Sequence, residues 1–365
     1  RDGEPKMKIA VDAMGGDNAP SAVIEGSVLA CREFGVDILL VGQEDLIRPA
    51  LRSLEAESLP IAVRHAAQVV EMDDSPIEAL KKKPDSSMRR AIEALKEGEA
   101  DAIVSAGNTG ALLAISTVIL RTIKGVDRAA ISALIPNAKG FCIMMDVGAN
   151  VDCKPQHLFQ FGIMGHAFGE TVLQIENPTV GLLSVGTEKS KGNKVTKLAF
   201  EMMENSTLNF LGNVEGTDVF RGAADVVVCD GFAGNVALKI TEGVTEVFTE
   251  AFRKEKSGSI RGRLGMFLVQ NGLRSLYRRM DYTEYGGAPL LGINGVCIKA
   301  HGTSNAKAIK NAIGAARNAR RGDLVDHIRD EVARNAEAES SEGVGHRIWK
   351  QLRESIHLSD DSEET

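Results

Sequence analysis

Five times along the chain, a short apolar run of strand character gives way to a small loop of Gly, Asn, Asp, Ser or Thr and then to a helical pattern. The runs read KIAVDAMGGDNAP at Lys8–Pro20, DAIVSAGNTGALLA at Asp101–Ala114, GLLSVGTEKSKGN at Gly181–Asn193, DVVVCDGFAGNVALK at Asp225–Lys239 and CIKAHGTSNAKAIKNAI at Cys297–Ile313. Strands that alternate with helices are the signature of a parallel sheet covered on both faces. Glycines let the backbone approach a ligand, and the free N–H groups and dipole at a helix N-terminus favour an anion. Loops of this kind gathered at one sheet edge would form a phosphate-accepting cleft.

Strands are expected at Lys8–Ala13, Asp37–Val41, Ile61–His65, Ala102–Ser105, Gly140–Asp146, Thr179–Ser184, Asp225–Cys229 and Val296–Lys299. Pro20 opens the first helix, and another spans Ser87–Lys96, ended by Gly98. At 365 residues the chain suffices for one large α/β core or two lobes sharing a sheet. No internal repeat of fixed period is visible. The expected division is a catalytic domain over 7–335 carrying a helical projection at about 245–285, a C-terminal helix and acidic tail over 336–365, and a remnant outside the fold at 1–6.

Composition narrows the function. Aromatic residues make up only 4% and the formal net charge is −7, so base stacking and overall attraction to nucleic acid are both disfavoured. No apolar run approaches the roughly 20 residues that span a bilayer, so a soluble, intracellular protein is expected. Cys31, Cys142, Cys153, Cys229 and Cys297 are widely spaced, without CxxC pairs or metal-ligand spacing, and read as buried reduced thiols. No metal and no cofactor is expected.

One segment departs from the acidic average. Between Arg253 and Arg279 the cations face only Glu255, while Val269, Leu273, Leu276, Tyr277 and Met280 form a stripe of helical period. Ile260, Leu264, Phe267 and Leu268 make a shorter stripe before it, and the intervening glycines suggest a hairpin. Membrane-surface contact and a dimer interface both suit such a segment.

The loops carry the chemistry. In GTEKSKGN, Lys189, Lys191 and Lys194 stand near Gly186, Thr187, Gly192 and Asn193, a point charge beside exposed amides, unless the loop is only a solvated lysine-rich turn. In CDGFAGN, Asp230 and Asn235 bracket Gly231 and Gly234; the Asn235 amide is either an oxyanion donor or the N-cap of a helix starting at Val236, roles that can coexist. Asp12 and Asp17 flank Gly15 and Gly16 and could orient, cap or bind a cation. SAGNTG offers Asn108 and Thr109 after Gly107, and AHGTSN offers His301 and Ser304 around Gly302, with His301 read as a structural partner before a base. No GxSxG elbow, GxxxxGK[ST] loop or GxGxxG fingerprint occurs. An anion cleft without a protein nucleophile remains, and inorganic phosphate can itself be the nucleophile.

VDAMGGDNAP, SAGNTGALL, LLSVGTEKSKGN, CDGFAGNVALK and GGAPLLGINGVCIKAHGTSN, in that order, closely resemble the PlsX-type phosphate acyltransferase family of bacterial phospholipid synthesis, from about Lys8 to about Ile313. The resemblance implies transfer of a long-chain acyl group from acyl-acyl-carrier-protein to inorganic phosphate, giving acyl phosphate for phosphatidic acid synthesis. It implies a three-layer α/β/α sandwich with a mostly parallel sheet, like the isocitrate and isopropylmalate dehydrogenases, with a projecting amphipathic helical hairpin. A homodimer, cytoplasmic and peripherally associated with the anionic inner face of the cell membrane, is implied as well, with Lys191 and Asn235 as the catalytic pair. Two rivals differ in class: an NAD- and metal-dependent dehydrogenase on the same fold, for which the carboxylates near the loops are too few, and a non-catalytic scaffold for carrier protein and membrane, which would need no phosphate loops.

Overall fold

The computed structural model describes residues 6–257 and 286–341. Its strands are β1 (Lys8–Asp12), β2 (Asp37–Gly42), β3 (Ile61–His65), β4 (Ala102–Ser105), β5 (Ala130–Asn137), β6 (Gly140–Met145), β7 (Val180–Leu183), β8 (Phe210–Val214), β9 (Val226–Val228), β10 (Ala288–Leu291) and β11 (Val296–Lys299). They form a single sheet of order β3-β2-β1-β4-β11-β10-β5-β6-β9-β7-β8. Helices cover both faces, as the alternating pattern requires. On one side lie α1 (Ser21–Phe34), α2 (Glu44–Ser53), α6 (Pro155–Thr171), α7 (Lys194–Glu204), α10 (Ala306–Arg321) and α11 (Leu324–Ser341). On the other lie α3 (Pro76–Lys82), α4 (Ser87–Lys96), α5 (Thr109–Leu120), α8 (Gly216–Arg221) and the long α9 (Gly231–Ser257).

The period of two along the central strands assigns residues to these two cores. Ile9 and Val11 enter one core and Ala10 the other; Ile38 and Leu40 oppose Leu39 and Val41; Val226 and Val228 oppose Val227. Each strand is therefore buried on both faces and reads as a continuous apolar run, which made these strands legible in advance. The three-layer α/β/α sandwich with a mostly parallel sheet is the expected fold.

The sheet is not uniformly parallel, and the exceptions decide where a site can form. β10 runs antiparallel to both β11 and β5, and β5 is antiparallel to β6. Strands β1 to β4 and β11 thus point one way and β6 to β9 the other. β5, β8 and β10 were absent from the expected strands. β10 is four residues long, contains Pro289 and sits between Gly-Gly and Gly-Ile, so its sequence reads as a turn; only pairing on both sides makes it a strand. The start of the predicted basic segment, up to Ser257, belongs to α9; the rest of it, with Leu264, Phe267, Leu268, Leu273, Leu276 and Tyr277, and the region around Trp349 lie outside the described residues. Among the described residues no helix is long and apolar enough to cross a membrane.

Candidate active site

The carboxyl ends of β1, β4 and β11 are adjacent, and their loops are laced together. Asp17 N donates to Gly302 O at 2.8 Å, Asn18 Nδ2 to Thr303 O at 3.0 Å, and Ala300 N to Ser105 O at 2.9 Å. Beneath them Asp12 is buried and accepts from Ser105 Oγ at 2.7 Å, which in turn accepts from Gly107 N at 3.1 Å. Burial pushes the Asp12 carboxyl up from its ordinary value, against the pull of bonds from Ser87, Ser105 and Met14 and the charge of Lys299. Gly15 is required here by close approach: a Cβ would stand 2.5 Å from Asp12 Oδ2 and 2.7 Å from Gly107 N.

Asn108 caps α5 by accepting from Ala111 N at 2.9 Å, and its amide donates to Met72 O and Asp74 O, each at 2.9 Å. Both ends of that side chain hold the fold, so it has little left to offer a ligand. His301 Nδ1 lies 2.8 Å from Thr303 Oγ1 and accepts from Thr303 N at 3.3 Å, while burial pushes its pKa down.

Across the strand reversal the buried Asp146, just past β6, accepts from Ile131 N at 3.0 Å, Ala149 N at 3.1 Å and Asn150 N at 2.6 Å. These bonds shape the loop through Gly148. Asp230 is the N-cap of α9, accepting from Ala233 N at 2.7 Å. The helix therefore begins at Gly231, not Val236, and Asn235 is a residue within it rather than its cap. Gly234 packs so closely that a Cβ would stand 1.8 Å from Asp146 O. That contact seats α9 with Asn235 over the loop, where a Cβ on Gly148 would come within 3.5 Å of Asn235 Oδ1.

A cavity of about 310 Å³ opens where the strand direction reverses, above β10 and β5. Ile131, Ala133, Leu134, Val147, Leu238 and Ala288 make its apolar lining, and Thr109, Gly148, Asn235, Lys239, Glu242, Lys299, His301 and Ser304 its polar part. Thr109, Asn235, His301 and Ser304 were expected at the site. Lys299, Lys239 and the apolar floor were not. Lys299 is 8% exposed, and its ammonium donates to Ala106 O at 3.4 Å and to Ala300 O. Burial brings it down to about 8, with Asp12 pulling the other way. Its sequence signal was a lysine ending an otherwise apolar strand; that of Lys239 was one helical turn from Asn235.

Lys191 is not among the cavity's lining residues. Its loop leaves β7, which pairs in parallel with β9, so it emerges from the same sheet edge as the Asp230 loop. The Lys191 ammonium turns back to 4.0 Å from Glu188 Oε1, Lys189 pairs with Glu204, and Asn193 caps α7 by accepting from Thr196 N at 2.9 Å. Gly186 is buried, Gly192 half-buried, and Thr187 exposed. All five cysteines are free, and burial pushes the Cys142 and Cys297 thiols up to about 12, which removes them as nucleophiles near neutrality.

Residues 7–326 match the family model described as "Fatty acid synthesis protein". The chain is 48% identical over 327 residues to the phosphate acyltransferase of Caldanaerobacter subterraneus subsp. tengcongensis, covering 89% of this chain and 97% of that one. The chain belongs to the phosphate acyltransferase family. The enzyme of that name from Desulforudis audaxviator is 49% identical over 339 residues, covering 92% of this chain and 100% of its own. This chain is accordingly an acyltransferase that acts on phosphate. Among solved structures, a phosphotransacetylase from Streptococcus pyogenes superposes with a TM-score of 0.59 at 19% identity, covering 86% of this chain and 94% of that one. A branched-chain phosphotransacylase from Enterococcus faecalis V583 gives 0.55 at 13% identity, covering 86% and 99%. These two show a shared fold.

Proposed function

We propose that the acyl donor is a long-chain acyl-acyl-carrier-protein thioester and that the acyl phosphate feeds phosphatidic acid synthesis. The observation that carries this reading is a single cavity with an apolar floor of Ile131, Ala133, Leu134 and Leu238 and a rim carrying Asn235, Lys239 and Lys299. The floor suits an alkyl chain, and the rim suits phosphate and a polarised carbonyl.

In the mechanism, a phosphate oxygen attacks the thioester carbonyl carbon. The C–O bond forms, Asn235 donates to the carbonyl oxygen as it becomes tetrahedral, and collapse breaks the C–S bond. The carrier's thiolate leaves and takes a proton from solvent. Lys191, on the loop of the strand next to β9, assists by holding phosphate, with the amides of Gly186 to Gly192 beside it; Lys299 contributes charge from within the cavity. No acyl-enzyme is formed.

The enzyme works as a homodimer in peripheral contact with an anionic membrane. In support, α9 exposes Phe232, Val236, Ile240, Val244 and Val247 and runs toward the basic segment at Arg253–Met280. Purified protein mixed with acyl-carrier-protein thioester, with and without phosphate, tests the reaction: hydroxylamine-reactive acyl phosphate is expected only with phosphate. Equal thioester cleavage in its absence would overturn the reading. Light scattering and flotation with anionic liposomes test the dimer and the membrane contact.

A further inference from the structure

Away from the cavity, α6 packs against α11, and the two helices bring together matching pairs. His166 and Glu170 stand one turn apart on α6, and His327 and Glu331 one turn apart on α11. Glu170 Oε2 is 3.0 Å from His327 Nε2 and 3.7 Å from His166 Nδ1. His327 Nε2 is 3.8 Å from Glu331 Oε1, and Arg334 donates to that same oxygen at 2.5 Å. One ligand-type atom from each of His166, Glu170 and Glu331 lies within 4.8 Å of the others.

The independent observation is the state of His166. It is 6% exposed, and both its ring nitrogens are buried without a hydrogen-bond partner. A buried polar ring is normally satisfied, because an unmade bond forfeits the hydration it gave up. Here the ring faces a carboxylate too distant for a hydrogen bond yet well placed to share an ion.

We propose that this cluster binds one divalent metal ion of the zinc class, with His166, Glu170 and Glu331 as ligands and His327 as the fourth. Imidazole and carboxylate donors suit Zn²⁺, whereas Mg²⁺ demands a shell of oxygens. Tetrahedral zinc with bonds of about 2.1 Å places its donors roughly 3.4 Å apart, so the cluster must contract. Glu170 and His327 are only half-buried and have room to adjust. Two carboxylates match the ion's charge, and Arg334 holds the Glu331 carboxylate in place from outside, as supporting bonds do around metal ligands. With four protein ligands the ion is structural: it ties α11 to the buried α6.

The test uses the full-length chain, stripped with a chelator, desalted and titrated with Zn²⁺ and separately with Mg²⁺. One zinc per chain by elemental analysis and a raised Tm are expected with Zn²⁺, and neither with Mg²⁺. Co²⁺ should give the visible bands of a tetrahedral nitrogen–oxygen site without a thiolate charge-transfer band. Glu170→Gln and His327→Ala should each weaken zinc binding by about tenfold or more and remove the rise in Tm. Absence of stoichiometric zinc in the wild type would overturn the proposal. Equal zinc retention by the Glu170→Gln/His327→Ala double variant, or a thiolate band with Co²⁺, would also overturn it by placing the ion elsewhere.

Discussion

The loops after β1, β4 and β11 and those after β7 and β9 look alike in sequence, yet they do different work. The first set is a knot. Asp12, Asn18, Ser105 and Asn108 spend their polar atoms on neighbouring backbone or on one another, and Lys299 is buried against carbonyl oxygens. The second set spends Asp230 and Asn193 on helix caps and Lys189 on Glu204, but leaves two side chains available: the Asn235 side chain is exposed and without a hydrogen bond among the described residues, and the Lys191 ammonium is only loosely drawn to Glu188. Glycine-rich loops that look alike in sequence therefore divide into those whose polar atoms are mostly spent on the fold and those that leave a few side chains unengaged. Rigid positioning of a few free groups is what catalysis by an oxyanion site requires.

The comparison is broken most severely by removing a free group. Asn235→Ala should lower kcat about 10²–10³-fold, with Lys191→Ala comparable and with unaltered unfolding curves in urea. Near-wild-type turnover in both variants would show that these loops do not supply the reacting groups. Gly234→Ala tests the seating of α9 instead. Its Cβ would overlap the Asp146 carbonyl, so a loss of about 3 kcal/mol in urea unfolding is expected.

Lys299 measures the cost of charge inside the knot. Its folded pKa of about 8 lies below that of an ordinary lysine, so between about pH 8 and pH 10 the unfolded chain holds more protons than the folded one. Stability from this residue then rises with pH, and below about 8 the burial cost is present in full. Relative to Lys299→Met, the wild type should gain about 1.4 kcal/mol per pH unit across that window. A constant difference would mean that Lys299 does not titrate there.

The smallest effect should be the same in both sets. Asn305 caps α10 through Ala308 N at 2.9 Å, as Asn193 caps α7. Asn305→Ala and Asn193→Ala should each cost about 1 kcal/mol in thermal unfolding, because a cap serves the start of its own helix whatever surrounds the loop. A much larger loss at Asn305 would show that the wall of the site depends on that helix start.

What was legible beforehand follows from local patterning. The apolar runs of β1, β4, β9 and β11, the helix of Ser87–Lys96 and the expectation of polar loops near one site all rest on residues a few positions apart. Thr109, Asn235, His301 and Ser304 line the cavity, while Asn108 is diverted to the carbonyls of Met72 and Asp74, more than 30 positions away. The same limit hid Lys299, whose pKa is lowered by burial against the opposing pull of Asp12, far away along the chain. The pairs HAFGE and HIRDE are visible one at a time, but nothing in either announces that the other will face it across two packed helices.

The amino-acid sequence by itself determined the apolar strands buried on both faces and the polar loops that follow them, because period, capping and turn chemistry act over a few bonds. Only the tertiary structure decided that β10 and β5 reverse the sheet and open a cavity there. Strand direction, burial and the pairing of charges are set by neighbours that chain order does not specify.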